Sequence, residues 1–205
     1  MWESLISFSF ATLALALSPG PDNMYVLSQS LASGSRSGIA TTAGLISGCI
    51  VHTTLLAFGV SAIITASDSV FYIIKVCGAL YLLFLAYQVW KSTATIALEN
   101  EEVARKNHGQ LFVQGVIMNL LNPKVMIFFL AFFPGFLWAE NGNTVFQFYV
   151  LGLVFMAVSF SVFSSIALLA GRIAKYIKQH ASVGVVLKWL QVVVFIGIAI
   201  YILIP

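Results

Sequence analysis

Charged residues are scarce in this chain. Of its 205 residues, 8% are charged and 60% are hydrophobic, and the mean hydropathy is +0.99. A soluble globular domain carries roughly a quarter charged residues, so this composition excludes one. The longest polar stretch, residues 91–110, is too short to fold as a domain outside the lipid. We therefore predict an all-α integral membrane protein with a single transmembrane domain over residues 1–205.

Cysteine, histidine and catalytic motifs are equally sparse. Cys49 and Cys77 lie in apolar segments without disulfide or metal-ligand spacing, so each is expected to behave as a small hydrophobic residue, and no metal site is predicted. The sequence contains neither HExxH nor GxSxG, and His52 is the only histidine inside an apolar segment. We predict no catalytic residues, no enzyme activity and no cofactor.

Two further classes are excluded by the distribution of charge. The formal net charge of +3 is spread among apolar segments and forms no basic face, which argues against nucleic acid as a partner. The first apolar run follows Glu3, where a secretory signal peptide would carry lysine or arginine. We interpret this run as an uncleaved first span in the lipid bilayer.

Six apolar segments are long enough to cross a hydrocarbon core of about 30 Å, which requires about 20 helical residues. The loops 32–37, 91–110 and 171–183 hold one, three and three lysines or arginines, and the other two connectors hold none. Because lysine and arginine mark cytoplasmic loops, we predict that these three loops are cytoplasmic and that both termini lie outside. The spans are predicted at about 4–31, 38–65, 69–90, 111–138, 144–170 and 184–204.

Two of these spans are interrupted near their middle. Span 1 contains SPGPD at residues 18–22, and span 4 contains NPK at residues 122–124. Asparagine is a favoured N-cap and proline a favoured first helical residue, so we predict that a new helix begins at Pro123. In span 1, either Ser18-Pro19 or Gly20-Pro21 can reset the helix in the same way. At about 1.5 Å per residue, both breaks fall roughly halfway across the membrane.

The order of the spans indicates two inverted halves. Residues of about 1–90 and 111–205 each give a broken helix, a long helix and a shorter helix, joined by the linker 91–110. Three spans per half is an odd number, so the halves insert with opposite orientation. Interrupted spans at corresponding positions of inverted halves are the best sequence-level indication of a transporter binding site.

Asp22 and Lys124 are the charged residues beside the two breaks. A charge that faces lipid at the bilayer centre costs about 2.5–3.5 kcal/mol, so both are expected to face the interior. Asp22 can cap free backbone N–H groups, whereas Lys124 adds positive charge at a helix N-terminus, so this corner favours an anion. Either the two residues form a fixed structural pair, or they bind an amino-acid zwitterion, its carboxylate near Lys124 and the Asn122-Pro123 helix end and its ammonium near Asp22.

Two kinds of residue near the breaks leave alternatives open, and an aromatic run follows the second break. His52 either relays protons or is a neutral ring bonded to a neighbouring helix. Asn23, Gln29 and Asn119 either line a wet cavity or satisfy freed backbone groups. The aromatic run FFLAFFPGFLW, residues 128–138, is predicted to contact lipid and the outer interface.

Small residues follow one stripe of span 2. Gly44 and Gly48 form a GxxxG pattern, and Gly34 and Gly38 have the same spacing just before it. Such stripes allow helices to approach closely. The stripe either packs span 2 against a broken helix or forms the interface of a homodimer.

Taken together, these motifs resemble a known family. The stretch SPGPDNMYVL, then Arg36, Gly38, Gly44 and Gly48, then NLLNPKVMIFFLAFFPGF, resembles the LysE/RhtB family of bacterial amino-acid exporters over essentially the whole chain. The resemblance implies proton-driven export of amino acids, or of close derivatives such as homoserine and its lactone, across the bacterial inner membrane by alternating access. Its motifs fall on Pro19, Gly20, Pro21, Asp22, Asn122, Pro123 and Lys124. Relatives carry an acid or an amide at the position of Asp22.

A channel, or another kind of membrane component, is the alternative function. Channels commonly show rings of charge or filter loops repeated by subunits. The breaks in this chain occur once each, which fits a carrier better.

Overall fold

The structure is a computed structural model that describes residues 1–62, 67–92, 106–138, 143–180 and 182–203. Within these ranges the regular secondary structure is helical, with no strand. The helices are α1 (Trp2–Leu17), α2 (Pro21–Ser33), α3 (Ser35–Leu55), α4 (Asp68–Lys91), α5 (His108–Leu121), α6 (Pro123–Ile127), α7 (Thr144–Gln179) and α8 (Ser182–Leu203). Two π-helical turns, Leu56–Val60 and Phe128–Phe132, extend α3 and α6, and the 3₁₀ turn Phe133–Phe136 follows the second.

Length and hydropathy give four helices that can cross a membrane, and six spans if each bent pair is one span. Four of them cross as continuous segments, and two are pairs of helices, bent by 59° between α1 and α2 and by 53° between α5 and the segment that begins with α6. The predicted all-α membrane architecture and the breaks in the first and fourth predicted spans are confirmed, and the count is six when each bent pair is taken as one span.

Both breaks restart the chain with proline at the first helical position. The N-cap of α2 is Gly20, so in span 1 the structure uses Gly20-Pro21 rather than Ser18-Pro19. The N-cap of α6 is Asn122, whose side-chain Oδ1 accepts the backbone N–H of Lys124 at 3.0 Å. Proline at this position loses nothing, because its missing N–H would have no partner inside the helix.

The distribution of polarity is that of a protein surrounded by lipid. Large apolar side chains are exposed, such as Phe58 at 62% and Leu80 at 60%, while the polar Gln29 and Asn119 are only 1% and 3% exposed. An apolar surface suits hydrocarbon, and polar groups at membrane depth have to find partners inside the bundle.

Helix α3 lies at the centre of the contacts and packs against α2, α5 and α7, while α4 packs along α8. Glycine allows the close approaches. A Cβ on Gly44 would meet the backbone carbonyl of Phe112, and one on Gly48 would meet the side chain of Asn119, both on α5. A Cβ on Gly38 would meet Ser30 on α2. The stripe therefore packs span 2 against both broken spans, and its face is covered within the chain.

Substitution of Gly44 by alanine is expected to destabilise the protein by about 1–3 kcal/mol, because α3 and α5 would have to separate around the added methyl group. Thermal unfolding in detergent measures the effect. Gly197→Ala is the matched control, since no atom lies within 4 Å of its added Cβ and alanine is the better helix former. Equal unfolding temperatures for the two variants would contradict the packing role of Gly44.

The predicted lipid contact of the aromatic run is wrong. Phe128, Phe129, Phe132, Phe133 and Phe136 are at most 3% exposed. The π and 3₁₀ turns bring these rings to the inner face of the bent half-span. All of them except Phe129 pack around Phe8, whose ring centroid lies 4.8 Å from that of Phe133. The run is the centre of the larger apolar cluster.

Two predicted connectors are mostly helical. The α2–α3 turn is Gly34 alone, with φ of 86°, a left-handed conformation that glycine adopts without strain. Helix α7 continues to Gln179 and has 36 residues, or about 54 Å, so it extends beyond the roughly 30 Å core. Lysine and arginine are good helix formers, so the basic residues of 171–179 do not end the helix. Residues 93–105 and 139–142 of the other predicted connectors lie outside the described residues.

The bundle has two distinguishable ends. The Gly34 end, as we name it, carries the α2–α3 turn, and there Lys188 Nζ donates to the backbone oxygen of Ser92 at 2.8 Å. The Trp138 end carries the start of α7, where the backbone N–H of Trp138 donates to Gln147 Oε1 at 2.8 Å. Helix α2 runs from the level of the breaks to the Gly34 end, and α7 runs from the Trp138 end past that level to the Gly34 end.

Candidate functional site

A small pocket of about 30 Å³ lies where the two helix breaks meet. Spans 1, 2, 4 and 5 form its walls. This volume has room for only a few water molecules, so the pocket is nearly closed in this conformation. The lining residues are Leu15, Ala16, Gly20, Pro21, Asp22, Asn23, Ile46, Cys49, Asn119, Asn122, Lys124, Val125, Phe155, Ser159 and Phe163.

Asp22 is the acid of this pocket. It is 6% exposed, and its Oδ2 accepts a hydrogen bond from Asn122 Nδ2 at 2.9 Å. Its Oδ1 is buried without a partner. The side chain does not cap α2, contrary to the expectation for an acid in the first turn. Asn122 joins the two breaks, because its amide nitrogen binds Asp22 while its amide oxygen caps α6.

Lys124 does not direct its ammonium group at the N-terminus of its own helix. Nζ donates to the backbone oxygens of Ser18 at 3.2 Å and Leu15 at 3.5 Å, and it lies 5.4 Å from the ring centroid of Phe195. These carbonyls belong to the C-terminal end of α1, where the helix dipole is negative. The unfavourable placement expected from the sequence is therefore relieved by the neighbouring span.

The prolines explain which backbone carbonyls can accept hydrogen bonds from side chains. Proline has no N–H, so Pro19 leaves the oxygen of Leu15 without its usual helical donor, and Pro123 does the same for Asn119. Lys124 occupies the first oxygen, and His52 Nε2 lies 3.2 Å from the second. The Asn119 oxygen can only accept, so Nε2 of His52 carries the proton in this contact. The contact matches the second alternative for His52, a ring hydrogen-bonded to a neighbouring helix. Asn23 Nδ2 likewise donates to the Ala16 oxygen at 2.7 Å.

Asp22 and Lys124 form no ion pair within 4 Å, so the fixed structural pair is absent from this conformation. The pocket is instead bordered by a carboxylate with one oxygen free and an ammonium group with two bonds to carbonyls. An ammonium has three donors, so one N–H of Lys124 remains available. Complementary charges at two sides of one pocket suit a small zwitterion.

The other predicted site residues divide into groups by position. Gly20, Pro21 and Asn23 line the pocket, whereas Pro19, Pro123 and His52 shape or support the breaks from outside the lining. Gly38, Gly44 and Gly48 lie at helix contacts of α3. In the described ranges, no group of three His, Cys, Asp or Glu side chains is close enough to hold a metal ion.

The sequence interpretation named no pocket residue on α7. Phe155, Ser159 and Phe163 follow one another at four-residue spacing and therefore share one face of the helix, and all three line the pocket. A single serine between two phenylalanines of an apolar stripe is the signal that could have identified them. Ser159 is 2% exposed.

Comparison with known proteins agrees with this architecture. A family model described as LysE type translocator matches residues 13–205. The homoserine/homoserine lactone efflux proteins of Salmonella typhimurium strain LT2 and of Salmonella typhi are each 32% identical over 177 residues, which is 86% of this chain and 85% of the relative. No solved structure matches. The family match covers nearly the whole sequence, and the chain therefore belongs to the LysE type translocator family, as a multi-pass membrane transporter and not an enzyme.

Proposed function

We propose that this chain exports an amino acid of the homoserine class, or its lactone, across the bacterial inner membrane. The observation that carries the proposal is the pocket between the breaks, with the unpartnered Oδ1 of Asp22 and the ammonium group of Lys124 on its walls. Membership of the translocator family supports transport, and the names of the two relatives support this substrate class.

The charges of the pocket support one orientation of the substrate. Its ammonium group binds Asp22 Oδ1, and its carboxylate binds the free donor of Lys124. The side chain then lies against α7, where Ser159 offers a hydroxyl between the rings of Phe155 and Phe163. A short side chain with one hydroxyl, as in homoserine, suits these walls better than a long charged one.

The proposal includes an energy source and an orientation in the membrane. The free carboxylate oxygen of Asp22 can take up a proton when the substrate has left, which supports export driven by the proton gradient as an antiport, without a cofactor. The Gly34 end carries Arg36, Lys91 and the basic residues of α7, and it faces the cytoplasm in this proposal, with both termini outside.

Counterflow in liposomes tests the function. Purified protein is reconstituted, the vesicles are loaded with unlabelled homoserine, and uptake of labelled homoserine is measured. We expect internal substrate to raise the initial rate at least fivefold, because a carrier returns faster with substrate bound. A channel gives the same rate with loaded and empty vesicles, and that result would overturn the proposal.

A further inference from the structure

Helix α2 carries a row of buried oxygens without hydrogen-bond partners. The row begins in the pocket with Asp22 Oδ1 and continues with Tyr25 Oη, Gln29 Oε1 and Ser33 Oγ. The spacings of three, four and four residues place all four on one face of the helix. Because α2 ends at Ser33 beside Gly34, the row reaches from the pocket to the Gly34 end of the bundle.

Ordinary helix packing does not account for this row. A buried polar atom without a partner is destabilising, and hydroxyl groups in helices usually avoid it by donating to the carbonyl four residues earlier. Ser30 on the same helix does so, with its Oγ 2.7 Å from the Val26 oxygen. Ser33 does not, and Gln29 is 1% exposed with its Oε1 unpartnered.

The row lies beside the smaller of the two clusters of buried apolar residues. The cluster next to α2 has six buried members, among them Val26, Phe163 and Ala167, and the cluster on the other side of the pocket contains the stacked phenylalanines around Phe8. Ser164 of α7, which directly follows Phe163, carries another buried hydroxyl without a partner. The pocket is thus separated from the Gly34 end by a small apolar cluster that has polar atoms along its edge.

We infer that Tyr25, Gln29 and Ser33 line the route by which the substrate passes between the Gly34 end and the pocket, and that this route is closed in the present conformation. Opening separates α2 from α7, and water or substrate then hydrates the row. Glycine at both ends of α2, Gly20 and Gly34, supplies points about which the helix can turn. The inference rests on the proposed function, since it concerns access to the same pocket.

Cysteine labelling tests the route without knowledge of the substrate. In a variant with Cys49→Ser and Cys77→Ser, Gln29→Cys is compared with Leu31→Cys, which lies on the opposite face of α2 and is 43% exposed toward lipid. Membrane vesicles of both orientations are treated with a charged, impermeant methanethiosulfonate. We expect Gln29→Cys to react at least tenfold faster than Leu31→Cys, and only when the reagent is on the side of the Gly34 end.

Gln29→Leu provides a second test that separates function from folding. The change removes an unpartnered polar group, so we expect the unfolding temperature in detergent to be equal to that of the wild type or higher, and homoserine export to fall at least tenfold. Unreactive Gln29→Cys, or native export by Gln29→Leu, would overturn the route. If the wild-type protein exports none of the tested amino acids while Gln29→Cys still reacts from one side, the substrate assignment fails and the route stands.

Discussion

Replacement of Asp22 by asparagine is expected to lower export of both homoserine and its lactone about 10- to 100-fold, with the protein still folded. Asparagine keeps an oxygen for the 2.9 Å bond from Asn122 Nδ2, so the contact between the two breaks survives. The substitution removes the negative charge that binds the substrate ammonium group, and hydrogen bonds to charged groups contribute about 1.5–3 kcal/mol. Initial export rates from proteoliposomes, together with unfolding temperatures, measure both effects.

Two variants distinguish the charge of Asp22 from its structural contact. Glu3→Gln removes the same charge from an exposed position of α1 and should leave export unchanged. Asp22→Ala leaves Asn122 Nδ2 without its partner, so it should also destabilise the protein by about 1–3 kcal/mol. Native export rates for Asp22→Asn with both substrates would show that the carboxylate does not bind the ammonium group.

The helix breaks could be predicted from the sequence because their cause is local. Pro21 and Pro123 lack the N–H that a continuous helix requires, and Gly20 and Asn122 are suitable N-caps beside them. The number of spans also depends on local hydropathy. Local chemistry therefore located both breaks and identified Asp22, Asn122 and Lys124 as residues of interest.

Partners that are distant in the chain could not be predicted in the same way. The carbonyls that Lys124 contacts are 106 and 109 residues away, and which of them the ammonium group reaches depends on how the two bent spans pack. The same holds for the phenylalanines of 128–136, because their hydrophobicity suits lipid and core equally. Only the bend and the π turn decide that these rings face inward.

Polar groups at each helix break form hydrogen bonds with groups at the other break. Span 4 supplies both donors: the amide of Asn122 binds Asp22, and the ammonium group of Lys124 binds the end of α1. The contacts of Lys124 are long, at 3.2 and 3.5 Å, and they are made with neutral carbonyls. Under the proposed function, the substrate carboxylate binds the remaining donor of Lys124, and a charged acceptor forms the stronger hydrogen bond.

Lys124→Gln is expected to discriminate between the two substrates. Homoserine has a free carboxylate for Lys124, whereas the lactone has closed its carboxylate into the ring and keeps only the ammonium group. We expect homoserine export to fall about 10- to 100-fold and lactone export less than threefold, because charge-assisted hydrogen bonds are the stronger ones. The glutamine amide can still donate to a carbonyl of α1, and the retained lactone export reports that the variant is folded.

The double variant Asp22→Asn, Lys124→Gln decides between a substrate site and a structural pair. If each side chain binds its own group of the substrate, the losses in homoserine export multiply, since the two contacts are independent. If the residues stabilise each other in another state of the transport cycle, the double variant recovers part of the activity that either single variant loses. Recovery in the double variant, or an equal loss of export of both substrates in Lys124→Gln alone, would assign Lys124 to the structure of the breaks. If the second substitution multiplies the loss of homoserine export but adds little to the loss of lactone export, Lys124 binds the substrate carboxylate.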